Sequence, residues 1–177
     1  FNVEKNFILM DIRGEVTNIS LIRNETLYST ASFPLGRNFL TREVASALNT
    51  VPEEANSLIR ISLEGKFGSS ESTKINTVLI DAQKRWLSSF RETLTDLSEG
   101  LSLPSMVFLT VDEDIGKWFN DAIKNEEFVG YTLAERPFTV ITLSEKQLLK
   151  YCVTIGESRC DPFLALEALF FHKIADI

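Results

Sequence analysis

Cysteine is scarce in this chain: two in 177 residues, Cys152 and Cys160, with no C-x-x-C spacing. That excludes a disulfide-framed scaffold and a thioredoxin-like redox motif, and reduced thiols are the expected state. Glycine and proline are also few, eight and five, which excludes collagen-like and low-complexity arrays. The single histidine, His172, has no Cys or His at metal-ligand spacing and no G-x-S-x-G elbow to serve. The plain reading is a structural imidazole near a helix C-terminus. Apolar runs are short, far below the ~20 residues a bilayer crossing needs, so no secretory leader and no direct membrane insertion are expected. Basic residues are outnumbered, 18 Lys and Arg against 25 Asp and Glu, for a formal charge of −7. Duplex nucleic acid needs the opposite balance, so no nucleic-acid partner is expected.

What the chain does have is apolar substance. Its hydrophobic fraction is 44%, and 13 residues are Phe. A length of 177 residues is enough for one domain with a real core, so a single domain over 1–177 is expected. The many Phe imply a large aromatic core or an apolar face covered in a larger assembly.

Phe7 to Ile12 is an apolar run that reads as a buried strand. Thr17 to Ile22 and Leu27 to Phe33 alternate polar and apolar, as strands with one wet face do. Short turns between them make an antiparallel meander, and Pro34-Leu35-Gly36 stops it. Phe39, Leu40, Val44, Ala47 and Leu48 then share one face of a helix that ends at Asn49-Thr50. Pro52 suits a first helical position, with Glu53 and Glu54 at the positive end of the helix dipole. The polar, Gly/Ser-rich stretch 64–74 is expected to be a mobile loop. A long helix follows from about Ile75 to Glu99, with Leu79, Trp86, Phe90, Leu94 and Leu97 as its buried stripe and Gly100 beyond its end. Met106 to Val111 reads as an inner strand. Asp114 is the expected cap of a short helix carrying Ile115, Trp118, Phe119, Ala122 and Ile123. Phe138 to Leu143 is a fifth strand, and Asp161-Pro162 opens a last, nearly all-apolar helix. On that helix Phe170 and Phe171 cannot both face inward. The order implies an α/β domain: a mixed five-stranded sheet flanked by helices, its later strands joined in parallel by right-handed crossovers.

The wording of several segments is closer to a known family. Met10-Asp11-Ile12-Arg13-Gly14-Glu15-Val16-Thr17-Asn18-Ile19 resembles the second phosphate loop of bacterial actin homologues, which commonly reads D-I-G-x-x-T-T-x-I. Phe33-Pro34-Leu35-Gly36-Arg37-Asn38-Phe39-Leu40-Thr41 resembles the next segment, commonly I-P-x-G-G-N-x-[IVL]-T. Val51 to Ile59, Pro104 to Thr110 and Asp161 to Ala165 resemble the following helix, the strand toward the adenosine site and the closing helix. The family is the actin-like ATPases of the PilM and FtsA type, and the resemblance implies a ribonuclease H-like fold. It covers only the second half of such a protein. The expectation is therefore the C-terminal half of a longer chain, whose N-terminal half carries the other nucleotide-contacting loops.

The departures matter as much. Arg13 stands at the family's first glycine, and Val16 at a hydroxyl residue. Thr110-Val111-Asp112-Glu113-Asp114 stands where the family has T-G-G-G, and its acids repel phosphate. No catalytic residue and no resident metal are therefore expected. If nucleotide binding is retained, the resemblance gives Asp11 to a magnesium–phosphate group and Gly14 and Thr17 to loop contacts, with ATP and magnesium as cofactors of the full-length protein. Otherwise Asp11 ends a strand and caps a turn, and Gly14 and Thr17 serve the hairpin. A third option, a two-metal nuclease using Asp11 with Asp112, Glu113 and Asp114, lacks any basic patch. The leading expectation is a cytoplasmic scaffold, peripheral at the inner membrane, that binds protein partners in a pilus, secretion or division machine.

Overall fold

A computed structural model describes residues 5–65, 71–132 and 135–143. Five strands form one mixed sheet in the order β3-β2-β1-β4-β5. β1 (Phe7–Ile12), β2 (Thr17–Arg23) and β3 (Thr26–Phe33) are the antiparallel meander. β4 (Met106–Thr110) joins β1 in parallel, and β5 (Thr139–Thr142) joins β4 in parallel. This is the α/β, ribonuclease H-like arrangement that the element order implies. β1 sits at the centre, so Ile8, Met10 and Ile12 are buried. β3 is an edge, and its residues are largely exposed.

Among the described residues, four helices flank the sheet: α1 (Arg37–Leu48), α2 (Pro52–Leu63), α3 (Glu71–Ser98) and α4 (Glu113–Lys124). α1 ends where Asn49 turns left-handed, with φ 54°, and its N–H returns to Ala45 and Ser46 carbonyls. α2 starts on Pro52, whose missing N–H costs nothing at that position. The stripe expected on α3 is buried in full: Leu79, Trp86, Phe90, Leu94 and Leu97. Trp86 stacks near Phe33, Phe90 and Phe119, at centroid separations of 5.6, 5.2 and 5.3 Å. Phe90 goes on to Phe128 at 5.2 Å and Phe138 at 6.5 Å. This aromatic run is what the abundant Phe build among the described residues. The pairs of Trp86 with Phe33 and Phe119 and of Phe90 with Phe128 are edge-to-face, an arrangement that adds ~0.5–1.5 kcal/mol each beyond burial.

Some bounds differ from expectation. α3 begins at Glu71, so the end of the loop expected over 64–74 is helical. Glu71, Ser72 and Lys74 are serviceable helix formers, and Ile75 and Leu79 bury the face they share. Ala47 is exposed, one position off the buried face of α1. Asp112, not Asp114, occupies the cap position of α4, and its carboxylate makes no cap hydrogen bond. A short 3-10 helix at Val129–Tyr131 carries no strong signal of its own and was not foreseen. The helix expected after Asp161-Pro162, with Phe170, Phe171 and His172, and both cysteines lie outside the described residues. Among the described residues, no helix is long and apolar enough to cross a membrane.

Candidate functional site

Parallel α/β sheets offer ligands the crevice beyond the carboxyl ends of their strands. Here that crevice lies past Ile12 of β1 and Thr110 of β4, which the parallel pairing brings side by side in register Asp11↔Thr110. Asp11 is buried, with 7% of its surface exposed. Its Oδ1 accepts from the Thr110 hydroxyl at 2.6 Å, and its Oδ2 accepts from Arg13 Nε at 2.8 Å. A buried carboxylate is costly without such partners.

Arg13 to Val16 form the turn between β1 and β2, closed by Arg13 N–H donating to the Val16 carbonyl at 2.9 Å. Gly36 presses against this turn. A Cβ at Gly36 would lie 2.2 Å from the Arg13 carbonyl oxygen and 2.6 Å from Val16 N. The contact lets three successive N–H groups reach the turn. Gly36 donates to the Glu15 carbonyl at 3.1 Å, Arg37 to Arg13 at 2.8 Å and Asn38 to Gly14 at 2.7 Å. The positive end of α1, which in many folds faces a bound anion, is thus spent on the turn's own carbonyls.

Side chains reinforce that seam. Asn38 Nδ2 donates to Glu15 Oε1 at 2.9 Å, and Arg42 donates to Glu15 Oε2 at 2.6 Å. The Asn38 hydrogen bond, then that of Arg42, holds the Glu15 carboxyl below the usual carboxylate range. Arg37 reaches the other way, across to the start of α4. One arm of its guanidinium bonds Asp112, and Nη2 donates to Asp114 Oδ2 at 3.1 Å. That is why Asp112 leaves the helix end uncapped.

The candidate residues are therefore placed as follows. Asp11 is at the crevice but engaged by Arg13 and Thr110. Gly14 lies in the turn beneath Asn38, whose amide nitrogen would sit 3.1 Å from an added Cβ. Thr17 is fully buried and faces the core: its hydroxyl donates to the Leu35 carbonyl at 2.9 Å and accepts from the Trp86 indole at 3.4 Å. Asp112 and Asp114 meet on Arg37. Among the described residues, no three ligating side chains gather as a metal site would need.

Sequence reasoning missed Arg37, Asn38 and Arg42. The signal for Arg37 was present, because the family segment I-P-x-G-G-N has glycine where this chain has Arg37. Asn38 and Arg42, four apart on one helix, share a face that lies over Glu15.

Several groups that a magnesium nucleotide could use at this edge are engaged within the protein. The α1 amides are occupied, the Thr17 hydroxyl is turned inward, and two carboxylates with their own counter-ion stand at the turn after β4.

The strand order and flanking helices define a ribonuclease H-like domain. No family model and no curated protein matches the sequence. Solved structures narrow the class. A chain of the PilM–PilN type IV pilus biogenesis complex superposes with a TM-score of 0.53 at 16% identity, over 67% of this chain and 33% of that one. MreB5 of Spiroplasma citri bound to ADP gives 0.53 at 13% identity, over 98% and 56%. The apo pSK41 ParM protein gives 0.50 at 15% identity, over 97% and 43%. The domain has the actin-like ATPase fold. The chain spans between about a third and just over half of these structures' own length.

Proposed function

We propose that this domain is a protein-binding scaffold module of a pilus, secretion or division-type assembly machine, working with an N-terminal actin-like half and without nucleotide turnover at this edge. The observation that supports the reading is the Arg37 bridge to Asp112 and Asp114, which ties the start of α1 to the start of α4 beside the carboxyl ends of β1 and β4. The likeness to the PilM–PilN complex supports a partner protein in such a machine. The proposal includes a cytoplasmic place, peripheral at the inner membrane, where such a partner would hold the domain. An acidic chain offers nothing to nucleic acid.

A second reading keeps one specific observation: the MreB5 structure that this chain follows over 98% of its length is bound to ADP. In that reading the domain is an ATP-binding module, with magnesium, active only with its N-terminal half. Calorimetric titration of the full-length protein with MgATP separates the two. The scaffold reading expects no heat of binding. Micromolar binding abolished by Asp11→Ala establishes the second reading instead.

A further inference from the structure

We propose that Arg37 is an internal occupant of the crevice, an autoinhibitory contact that fastens the β1–β2 turn to the start of α4 and must let go before any anionic ligand enters this edge. The proposal rests on the closed-site reading above and deepens it. Arg37 is bonded in two directions at once. Its main-chain N–H is held by the Arg13 carbonyl at 2.8 Å, so its backbone moves with the β1–β2 turn. Its guanidinium holds Asp112 and Asp114, so its side chain moves with α4. Arg37 and Asp112 are 75 positions apart in sequence, and the parallel pairing of β1 with β4 brings the turn and α4 to the same edge.

The charge pattern says why a cation belongs there. Asp112 and Asp114 stand two positions apart at the mouth of α4 and repel each other unless a positive group lies between them. A guanidinium presents a fork of donors fixed in one plane, so it can serve both carboxylates, which a point charge cannot do as well. Arg37 is half-buried, with 29% of its side chain exposed, but Asp112 and Asp114 are 59% and 38% exposed, so the two pairs behave as surface pairs that salt screens. A phosphate approaching this edge finds the helix amides used and the carboxylates unmasked if Arg37 turns to meet it. Entry therefore carries the loss of the bridge.

Backbone hydrogen exchange on the full chain tests the fastening. The set is wild type, R37A, R37K, the pair D112N with D114N, and the combination of all three removals. In low salt, R37A and the aspartate pair should each speed exchange about twofold to fivefold, on both sides of the bridge: the amides of 13 and 36–38, and those of 115–116. The combination should add nothing further, because both remove one interaction. R37K should fall between, and high salt should erase the differences. The interior of α3 at Phe90 should stay unchanged, which shows that the variants fold. Additive effects, or loosening on one side only, overturn the fastening. A parallel thermal shift with MgATP addresses the site itself: binding by wild type with the coupled exchange intact overturns the closed-site reading instead.

Discussion

Among the described glycines, Gly36→Ala should be the most damaging single methyl this domain can receive. Gly36 has φ −97° and ψ −160°, extended values that any residue adopts, so the substitution brings no backbone strain of its own. The entire cost is contact. The new Cβ would meet the Arg13 carbonyl oxygen at 2.2 Å, Val16 N at 2.6 Å and the Glu15 carbonyl carbon at 2.8 Å. All three are backbone atoms in a turn closed by its own hydrogen bond, so none can rotate aside. Relief needs the start of α1 to withdraw, which stretches the Gly36, Arg37 and Asn38 hydrogen bonds to the turn. Overpacking of this kind costs ~1–3 kcal/mol, and weakening the hydrogen bonds adds ~0.5–1.5 kcal/mol for each one lost. A total of about 3 kcal/mol lowers Tm by about 6–12 °C in a domain this size. Thermal unfolding followed by circular dichroism measures it. Two sister variants calibrate it. Gly14→Ala meets only the Asn38 side-chain end at 3.1 Å, and Gly130→Ala meets nothing within 4 Å. The order of stability should be Gly130→Ala, then Gly14→Ala, then Gly36→Ala far below. If Gly36→Ala unfolds with Gly130→Ala, the turn does not press on α1 as described.

Thr17→Val should destabilise by about 1 kcal/mol, read from the urea midpoint, because it removes the buried hydroxyl's hydrogen bond to the Leu35 carbonyl, while the Trp86 indole keeps its own bond to that carbonyl at 3.1 Å; an unchanged midpoint refutes the core placement. Glu15 gives a pH test whose sign is set by its lowered pKa. The native state holds the charged form more strongly than the unfolded chain does, so this contribution is present above the unfolded value, ~4.3, and fades as pH falls through the lower native value. The stability advantage of wild type over Glu15→Gln should therefore be seen near neutral pH and vanish in acid; an advantage that grows on acidification contradicts the seam. Phe90→Ala should cost ~3–5 kcal/mol, since that ring is fully buried between Trp86 and Phe128, and a loss under ~1 kcal/mol removes the aromatic run from the core account.

Local pattern carried the frame of this fold, and long-range chemistry carried its site. Alternation marked β2, and periodicity marked α3, whose five expected core residues are all buried. Those are effects of one face against another, and they repeat within a few residues. Thr17 shows how far such pattern reaches. It shares parity with the buried Ile19 and Leu21 on β2, and that parity places it in the core, where the phosphate-loop resemblance pulled it toward a ligand. Asp114 shows where local rules stop. A capping rule compares neighbours only, so it cannot know that Asp112 takes the cap position and gives its carboxylate to a residue 75 positions earlier. Arg37 has no local reason to be anything but a surface arginine. Its role exists only once the parallel pairing of β1 and β4 has brought two distant turns to one edge.

The most direct measurement is a crystal structure of the full-length protein grown with saturating MgATP. It should show Arg37 seated between Asp112 and Asp114, with the β1–β2 turn against α1 and no triphosphate at that edge. Density for a nucleotide lying on that turn, with Arg37 swung away, would contradict the account.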